Sequence, residues 1–286
     1  SAREGNAFFA VTPADRWPLA LPLHHVGGFC IHARCFAAGS SVHRMADEWS
    51  AERFTALCRE HRATLASLVP TQVFDLVNGR HAAPPHLRAV IVGGGALAHT
   101  LREQAVALGW PLYGSYGMTE TASQIATQAP DEYAMTAPDA LEVLPHWKLS
   151  TTADGVLTVR GPALAKGYAS RDAAGGWSWQ AVDPAGGLQT RDRVRLWQHG
   201  TRSYLGRDSS FVKVCGELVN RDALQKRLDE SAASIGLATG AVIVPTADPR
   251  RETALLIAVE AGATPPSSRD ALLQCYNSNC LPFERA

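Results

Sequence analysis

Along the first 113 residues, short apolar runs alternate with stretches of helical periodicity. Leu65–Val69 and Leu87–Val92 are brief, largely apolar and bounded by polar or turn-forming residues. That is the pattern of strands buried on both faces. Phe54, Leu57 and Cys58 recur at helical spacing behind Ser50, a natural helix cap. Pro70 to Leu76 reads as a short helix that Gly79 ends, and Leu97, Leu101, Ala105 and Leu108 fall on one helical face before Gly109. Leu-Ala-Leu-Pro at 19–22 reads as a further strand running into Leu23-His24-His25-Val26-Gly27-Gly28. Such alternation predicts a parallel sheet covered by helices, with ligands at the carboxyl ends of its strands. The loops after residues 22, 92 and 113 then lie at one rim.

From about residue 140 the pattern shortens. Val156–Arg160 alternates, with Leu157 and Val159 on one face and the turn Asp154-Gly155 before them, which signals a hairpin. Further short runs at 187–190, 194–197 and 203–205 predict a small antiparallel barrel or curled sheet. After Gly206, a strand at Phe211–Val214 precedes a helix capped by Asn220 and bearing Leu224 and Leu228. Paired strands at Ala241–Val244 and Leu255–Val259 and a last helix with Leu272 and Leu273 complete a compact α+β pattern. The expected architecture is α/β plus β-barrel plus a small α+β domain: a parallel-sheet part over 1–135, a barrel-like part over 136–207, and an α+β part over 208–286.

At 286 residues the chain exceeds the length one core usually fills, which agrees with several parts. Lys+Arg and Asp+Glu both total 27, so no net basic field draws nucleic acid or an anionic membrane. No apolar run reaches the ~18 residues of a membrane span. The six cysteines form no CxxC pair and no disulfide-framework spacing, which points to a reducing cytoplasm. The chain does not begin with Met, and Leu281–Ala286 reads like the middle of a domain, so a fragment or a shortened protein is expected.

The most chemically loaded stretch is Gly114-Ser115-Tyr116-Gly117-Met118-Thr119-Glu120-Thr121. Two glycines, hydroxyls and a carboxylate share one turn. A carboxylate beside phosphate-reaching donors suits Mg²⁺ carried by nucleotide phosphates, because that hard ion takes carboxylate and phosphate oxygens together. On these residues alone, a Gly-rich turn whose Glu caps a helix or lies in solvent is an equal reading. The triple glycine 93–95 is likewise open to being a strand-ending turn, and Arg191-Asp192-Arg193 a solvated charge cluster.

Leu21–Gly28, Tyr113–Thr121, Thr190–Arg193 and Gly206-Arg207 through Gly216-Glu217 together resemble, in order, the adenylate-forming acyl-CoA synthetase superfamily, which includes luciferase and peptide-synthetase adenylation domains. Ser67-Leu68-Val69-Pro70-Thr71-Gln72, Tyr116–Glu120 with Ala122-Ser123, and Thr190–Arg193 look most like its o-succinylbenzoate–CoA ligases, which serve menaquinone synthesis. The resemblance implies ATP-dependent activation of a carboxylate as an acyl adenylate, with transfer to coenzyme A. It implies that Thr119 contacts phosphate, that Glu120 is the magnesium-side carboxylate, and that Tyr116 packs on adenine. By the same resemblance Gly93, Gly94 and Gly95 line adenine, Asp192 binds the ribose hydroxyls and Arg207 reaches ribose or phosphate. His25 would wall the acyl pocket, with His32 and Arg34 as loose candidates for a second substrate carboxylate. Lys213 and Gly216 would lie on the CoA side of a mobile C-terminal domain pivoting near Ser209.

Two family features are missing from these residues. Nothing in Ser1–Leu21 resembles the Ser/Thr/Gly-rich phosphate loop, and the chain stops before the C-terminal lysine that supports adenylation. Lys166 and Lys213 are poor substitutes, since a point charge acts only close to the transferring phosphate. A catalytically weak nucleotide-binding or scaffold homologue, and a carrier-protein adenylation module, therefore stay as alternatives. A Rossmann dehydrogenase is disfavoured because 93–95 lacks GxGxxG spacing.

Overall fold

The computed structural model describes all residues except 47, 130–140, 173–174, 197–200, 208–210, 238–240 and 260–265. The chain divides into two compact units, Ser1–Gly206 and Arg207–Ala286.

In the larger unit, helix α1 (Ala2–Phe8) leads to strand β1 (Arg16–Leu19), helix α2 (Val26–Ala38) and strand β2 (Ser41–Arg44), and β1 pairs with β2 in parallel. The first strand lies earlier than residues 19–22 because Trp17 and Leu19 supply the buried side chains. Next come α3 (Ala51–Glu60), β3 (Leu65–Leu68), α4 (Pro70–Asn78), β4 (Ala89–Val92), α5 (His99–Ala107) and β5 (Leu112–Met118). Strands β3, β4 and β5 run parallel, Leu65 opposite Ala89 and Val90 opposite Leu112. All of β4 is buried, as its unbroken apolar run requires. The Ser50 hydroxyl caps α3 by accepting from the Arg53 N–H, and Pro70 opens α4. Phe54, Leu68, Val90, Trp110 and Leu112 meet in one core.

The expected loop after residue 113 is absent. β5 continues to Met118, and after a 3₁₀ turn at Thr119–Thr121 the chain returns as β6 (Ser123–Thr127), antiparallel to β5. Then follow β7 (Leu141–Val143), β8 (Lys148–Thr151), β9 (Val156–Arg160), β10 (Gly167–Arg171), β11 (Trp177–Ala181), β12 (Leu188–Leu196) and β13 (Thr201–Arg207).

The barrel expected over 136–207 does not form: among the described residues no sheet closes on itself. The strands instead extend the parallel sheet into one nine-stranded sheet, ordered β3-β4-β5-β6-β7-β13-β12-β9-β8. Closure would need the antiparallel strands to pair back on each other. Strand β6 already uses its two edges on β5 and β7, and β7 pairs onward to β13, so β8 is left as an edge. Strands β10 and β11 form a separate hairpin.

Two of the expected short runs merge into the single strand β12. Gln189 opposes Thr158 and Arg193 opposes Val156, so a step of four residues on β12 faces a step of two on β9. An even excess preserves the in–out alternation, so Asp192 and Val194 are both buried.

The smaller unit contains the hairpin of β14 (Phe211–Val214) and β15 (Glu217–Asn220), helix α6 (Arg221–Ser234), the hairpin of β16 (Val242–Asp248) and β17 (Glu252–Ala258), and helix α7 (Pro266–Ser278). The Asn220 carboxamide oxygen accepts from the N–H groups of Asp222 and Ala223, capping α6. Leu224, Leu228, Ile243, Leu255, Leu272 and Tyr276 form its core. No helix among the described residues is long and apolar enough to cross a membrane.

Candidate functional site

The reversal between β5 and β6 is sterically demanding. A Cβ at Gly117 would lie 1.6 Å from the Ser123 carbonyl oxygen, so no side chain fits. Ala122 and Ser123 take positive φ, 48° and 86°, conformations that L residues adopt only when their surroundings impose them. Thr121 provides part of that constraint. Its fully buried hydroxyl oxygen accepts from the Met118 N–H at 3.2 Å and lies 3.1 Å from the Ser123 carbonyl. The octet is thus a strand end folded hard back on itself, with Thr119 exposed and Glu120 half-buried.

Tyr116, two residues before the end of β5, donates its hydroxyl proton to Asp192 Oδ2. The β12 bulge places Asp192 there, and the Thr190 hydroxyl braces it by accepting the Asp192 N–H at 3.1 Å. Asp192 is 4% exposed, so the solvated-cluster reading of Arg191-Asp192-Arg193 does not describe it. Gly93 follows β4 with its Cα facing Ser115, and Gly94 has φ +82°, open to glycine without strain. Gly93 therefore borders the strand that carries Tyr116, whereas Gly94 faces Val69 and Gly95 follows it in the same loop.

A second chain of contacts leaves β5 in the other direction. Gln124 on β6 donates to the Ser115 hydroxyl at 3.0 Å, and its carbonyl oxygen accepts from Arg34 Nη2. Trp147 holds the Gln124 backbone oxygen at 2.8 Å. Arg34 is 3% exposed and its guanidinium lies over the Trp17 ring, 5.8 Å from the centroid. Burial lowers its pKa to about 10, leaving it cationic at neutral pH. The thiols of Cys30 and Cys35 offset part of that shift, and Nη1 has no hydrogen-bond partner among the described residues. No carboxylate among the described residues pairs with it, and a buried cation so placed is costly and favours an incoming anion.

His25 caps α2 through its backbone, half-buried, its ring 4.2 Å from that of His24. Gly28 must be glycine, since a Cβ there would meet the Pro22 carbonyl at 2.2 Å. His32 is exposed on α2, whereas Arg34 turns inward. Glu120 accepts from the Tyr168 hydroxyl at 3.1 Å, and its backbone oxygen accepts from the Ala165 N–H at 2.7 Å. Burial and the nearby carboxylate raise the Tyr168 pKa.

No cluster of three or more His, Cys, Asp or Glu side chains exists among the described residues. The donor set still fits Mg²⁺ that arrives on a nucleotide, because that ion keeps several waters and takes one or two carboxylates plus phosphate oxygens. Glu120 and Thr119 would hold it.

Arg207 ends β13, and its side chain lies outside the described residues, as does the Ser209 pivot. In the smaller unit, Lys213 lies on β14, and Gly216 (φ +83°) makes the turn to β15. Sequence reasoning missed Thr121, Gln124 and Tyr168. Of these only Thr121, inside the octet, carried a signal; the other two act through long-range contacts that no local spacing encodes.

The AMP-binding enzyme family model matches residues 2–169. The chain belongs to the AMP-binding enzymes. Among curated AMP-binding relatives, the 2-succinylbenzoate–CoA ligase of Bacillus subtilis is 30% identical over 231 residues, covering 74% of this chain and 46% of its own length. That of Staphylococcus aureus is 35% identical over 115 residues, 40% of this chain and 23% of the relative. The chain thus spans about half, or less, of the length of the curated relatives it matches. Among solved structures, wild-type E. coli o-succinylbenzoate CoA synthetase with a bound OSB-AMS analogue superposes with TM-score 0.60 at 25% identity, over 99% of this chain and 58% of that one. A double mutant of the Bacillus subtilis enzyme, bound with its product analogue OSB-NCoA, gives TM-score 0.81 at 23% identity with the same coverage. At that identity the likeness speaks for the fold.

Proposed function

We propose that these residues form the nucleotide and acyl side of a cytoplasmic acid–thiol ligase. It would activate o-succinylbenzoate with ATP as an acyl adenylate, release pyrophosphate, and transfer the acyl group to coenzyme A in menaquinone synthesis. One observation carries the reading: strand β5 and its turn are bonded on one side to Asp192, through Tyr116, and on the other to the buried cation Arg34, through Ser115 and Gln124. A ribose-binding carboxylate and an anion-binding guanidinium thus flank one strand.

The chemistry follows from these groups. A carboxylate is a poor electrophile, and its mixed anhydride with AMP has a good leaving group. The protein's task is to align two anions that repel each other. Asp192 accepts hydrogen bonds from the ribose hydroxyls, Tyr116 keeps it turned inward, and the ring of Tyr116 with Gly93–Gly95 admits adenine. Arg34 binds the substrate carboxylate that does not react, which holds the other toward the α-phosphate. His25 walls the acyl side. Thr119 meets phosphate oxygens, and bound Mg²⁺ would neutralise phosphate charge beside Glu120. Lys213 and Gly216 belong to the CoA side, and Arg207 to the ribose or phosphate.

Pyrophosphate release by the protein carrying this chain, dependent on both ATP and o-succinylbenzoate, is the expected result. Release that ignores o-succinylbenzoate across a range of concentrations overturns the substrate assignment.

A further inference from the structure

Glu120 is held in an unusual way. Its carboxylate makes no ion pair with Lys or Arg among the described residues; its side-chain partner is the phenol of Tyr168, on Oε1. That phenol arrives from the β10–β11 hairpin, which forms no ladder with the nine-stranded sheet.

The hairpin's position is fixed at its base. Val182 donates to the Lys166 carbonyl at 3.0 Å, and Gly167 opposes Ala181. A Cβ at Gly167 would meet the Gln180 carbonyl at 2.4 Å and the Trp179 ring at 2.6 Å, so the residue before Tyr168 has to be glycine. One position upstream of Lys166, the Ala165 N–H grips the Glu120 carbonyl. Ala165 and Tyr168 thus clamp Glu120 at backbone and side chain together. Strand alternation puts Tyr168 on the face opposite Trp177, Trp179 and Arg171, so the hairpin directs this one aromatic hydroxyl at the turn.

We propose that Tyr168 is a positioning residue for Glu120: its hydroxyl occupies one carboxylate oxygen and so presents the other to a divalent cation carried on nucleotide phosphates. This rests on the reading of Glu120 as the metal-side carboxylate. A carboxylate restrained by an outer hydrogen bond loses less side-chain freedom when it meets a cation, and outer partners of this kind typically set about tenfold or more in metal affinity. A plain staple for the hairpin is the competing role. It would affect folding and every ligand alike.

The test measures ATP affinity by calorimetry with and without Mn²⁺, and AMP affinity without metal, for the unsubstituted chain, Tyr168→Phe and Glu120→Gln. The unsubstituted chain binds ATP more tightly with Mn²⁺. Glu120→Gln brings that ratio close to one. Tyr168→Phe shrinks the ratio about tenfold, with metal-free AMP affinity within about twofold of the parent and an unchanged melting temperature. If Mn²⁺ does not strengthen ATP binding, or Glu120→Gln keeps the ratio, the metal-side reading fails and this inference with it. If Glu120→Gln removes the ratio but Tyr168→Phe keeps it or raises it, the inference alone fails. Equal losses for AMP and Mn²⁺·ATP with a lower melting temperature would leave Tyr168 as a hairpin staple, which also overturns it.

Discussion

The Tyr116 hydroxyl donates to Asp192 Oδ2 across 76 residues of sequence, joining the end of β5 to the bulge of β12. Each residue alone has a bland explanation, an aromatic in a Gly-rich turn and an acid between two arginines. Joined, with Tyr116 half-buried and Asp192 buried, they tie two distant strands together at one point.

Replacing Asp192 with Ala is therefore expected to weaken AMP binding about tenfold or more, the scale of one hydrogen bond to a charged group. Adenine, which has no ribose, should bind nearly as before. Tyr116→Phe keeps the ring and removes only the bracing hydroxyl, so its loss for AMP is smaller than that of Asp192→Ala. Calorimetric titration with both ligands checks this; equal losses for AMP and adenine would contradict the ribose role.

Arg34→Met separates binding from stability. Removing a buried cation with no counter-charge among the described residues is expected to leave the melting temperature unchanged or raised, although Gln124 loses a donor. Affinity for an acyl-adenylate analogue bearing a second carboxylate should fall at least about tenfold, the worth of a charge-assisted hydrogen bond. An analogue without that carboxylate should bind equally to both proteins.

The same residue predicts a pH dependence. Burial depresses the folded-state pKa of Arg34 to about 10, well below its ordinary value. Below pH 10 both folded and unfolded chains hold the proton, and the folded chain bears the full burial penalty. Above it the folded state releases the proton first, so this group's contribution to stability rises with pH from about 10 upward. The difference in unfolding free energy between Arg34→Met and the parent should accordingly narrow between pH 9 and 11 in denaturant titrations. A constant difference would show that Arg34 titrates as it does in the unfolded chain.

Thr121→Val tests the turn. It preserves shape and removes the buried hydroxyl that answers the Met118 N–H, so a loss of about 1–3 kcal/mol in unfolding free energy is expected. Gly117→Ala should be worse than Thr121→Val, because the added methyl collides with backbone that has no room to yield. Urea unfolding of both variants orders them; Gly117→Ala at parental stability would contradict the close approach of the two strands.

What the sequence revealed follows the range of the interactions involved. The α3 cap at Ser50, the Pro70 start of α4, the apolar run of β4 and the Asn220 cap all rest on neighbours within a few residues, and each was readable. The barrel was misjudged because short alternating strands specify hairpins and leave open which edges finally meet. β6 pairs with β5 and passes the sheet on through β7 to β13, a choice made by the long β5 and its tight reversal. Arg34 was visible only as a loose candidate for a second substrate carboxylate; its burial depends on Trp17 and Gln124, which approach from distant segments. Tyr168 and Glu120 meet 48 residues apart, beyond the reach of any motif.

Strand β5 lies parallel to β4 along its first half and antiparallel to β6 along its second. A chain fastened to neighbours of opposite polarity cannot slide along either without breaking register with the other, and a slip of one residue would swap the faces shown by Ser115 and Tyr116. The two side chains are locked in phase like teeth cut on one bar. Changes of ligand preference in proteins of this build should then fall on segments outside β5, while the bar itself stays constant.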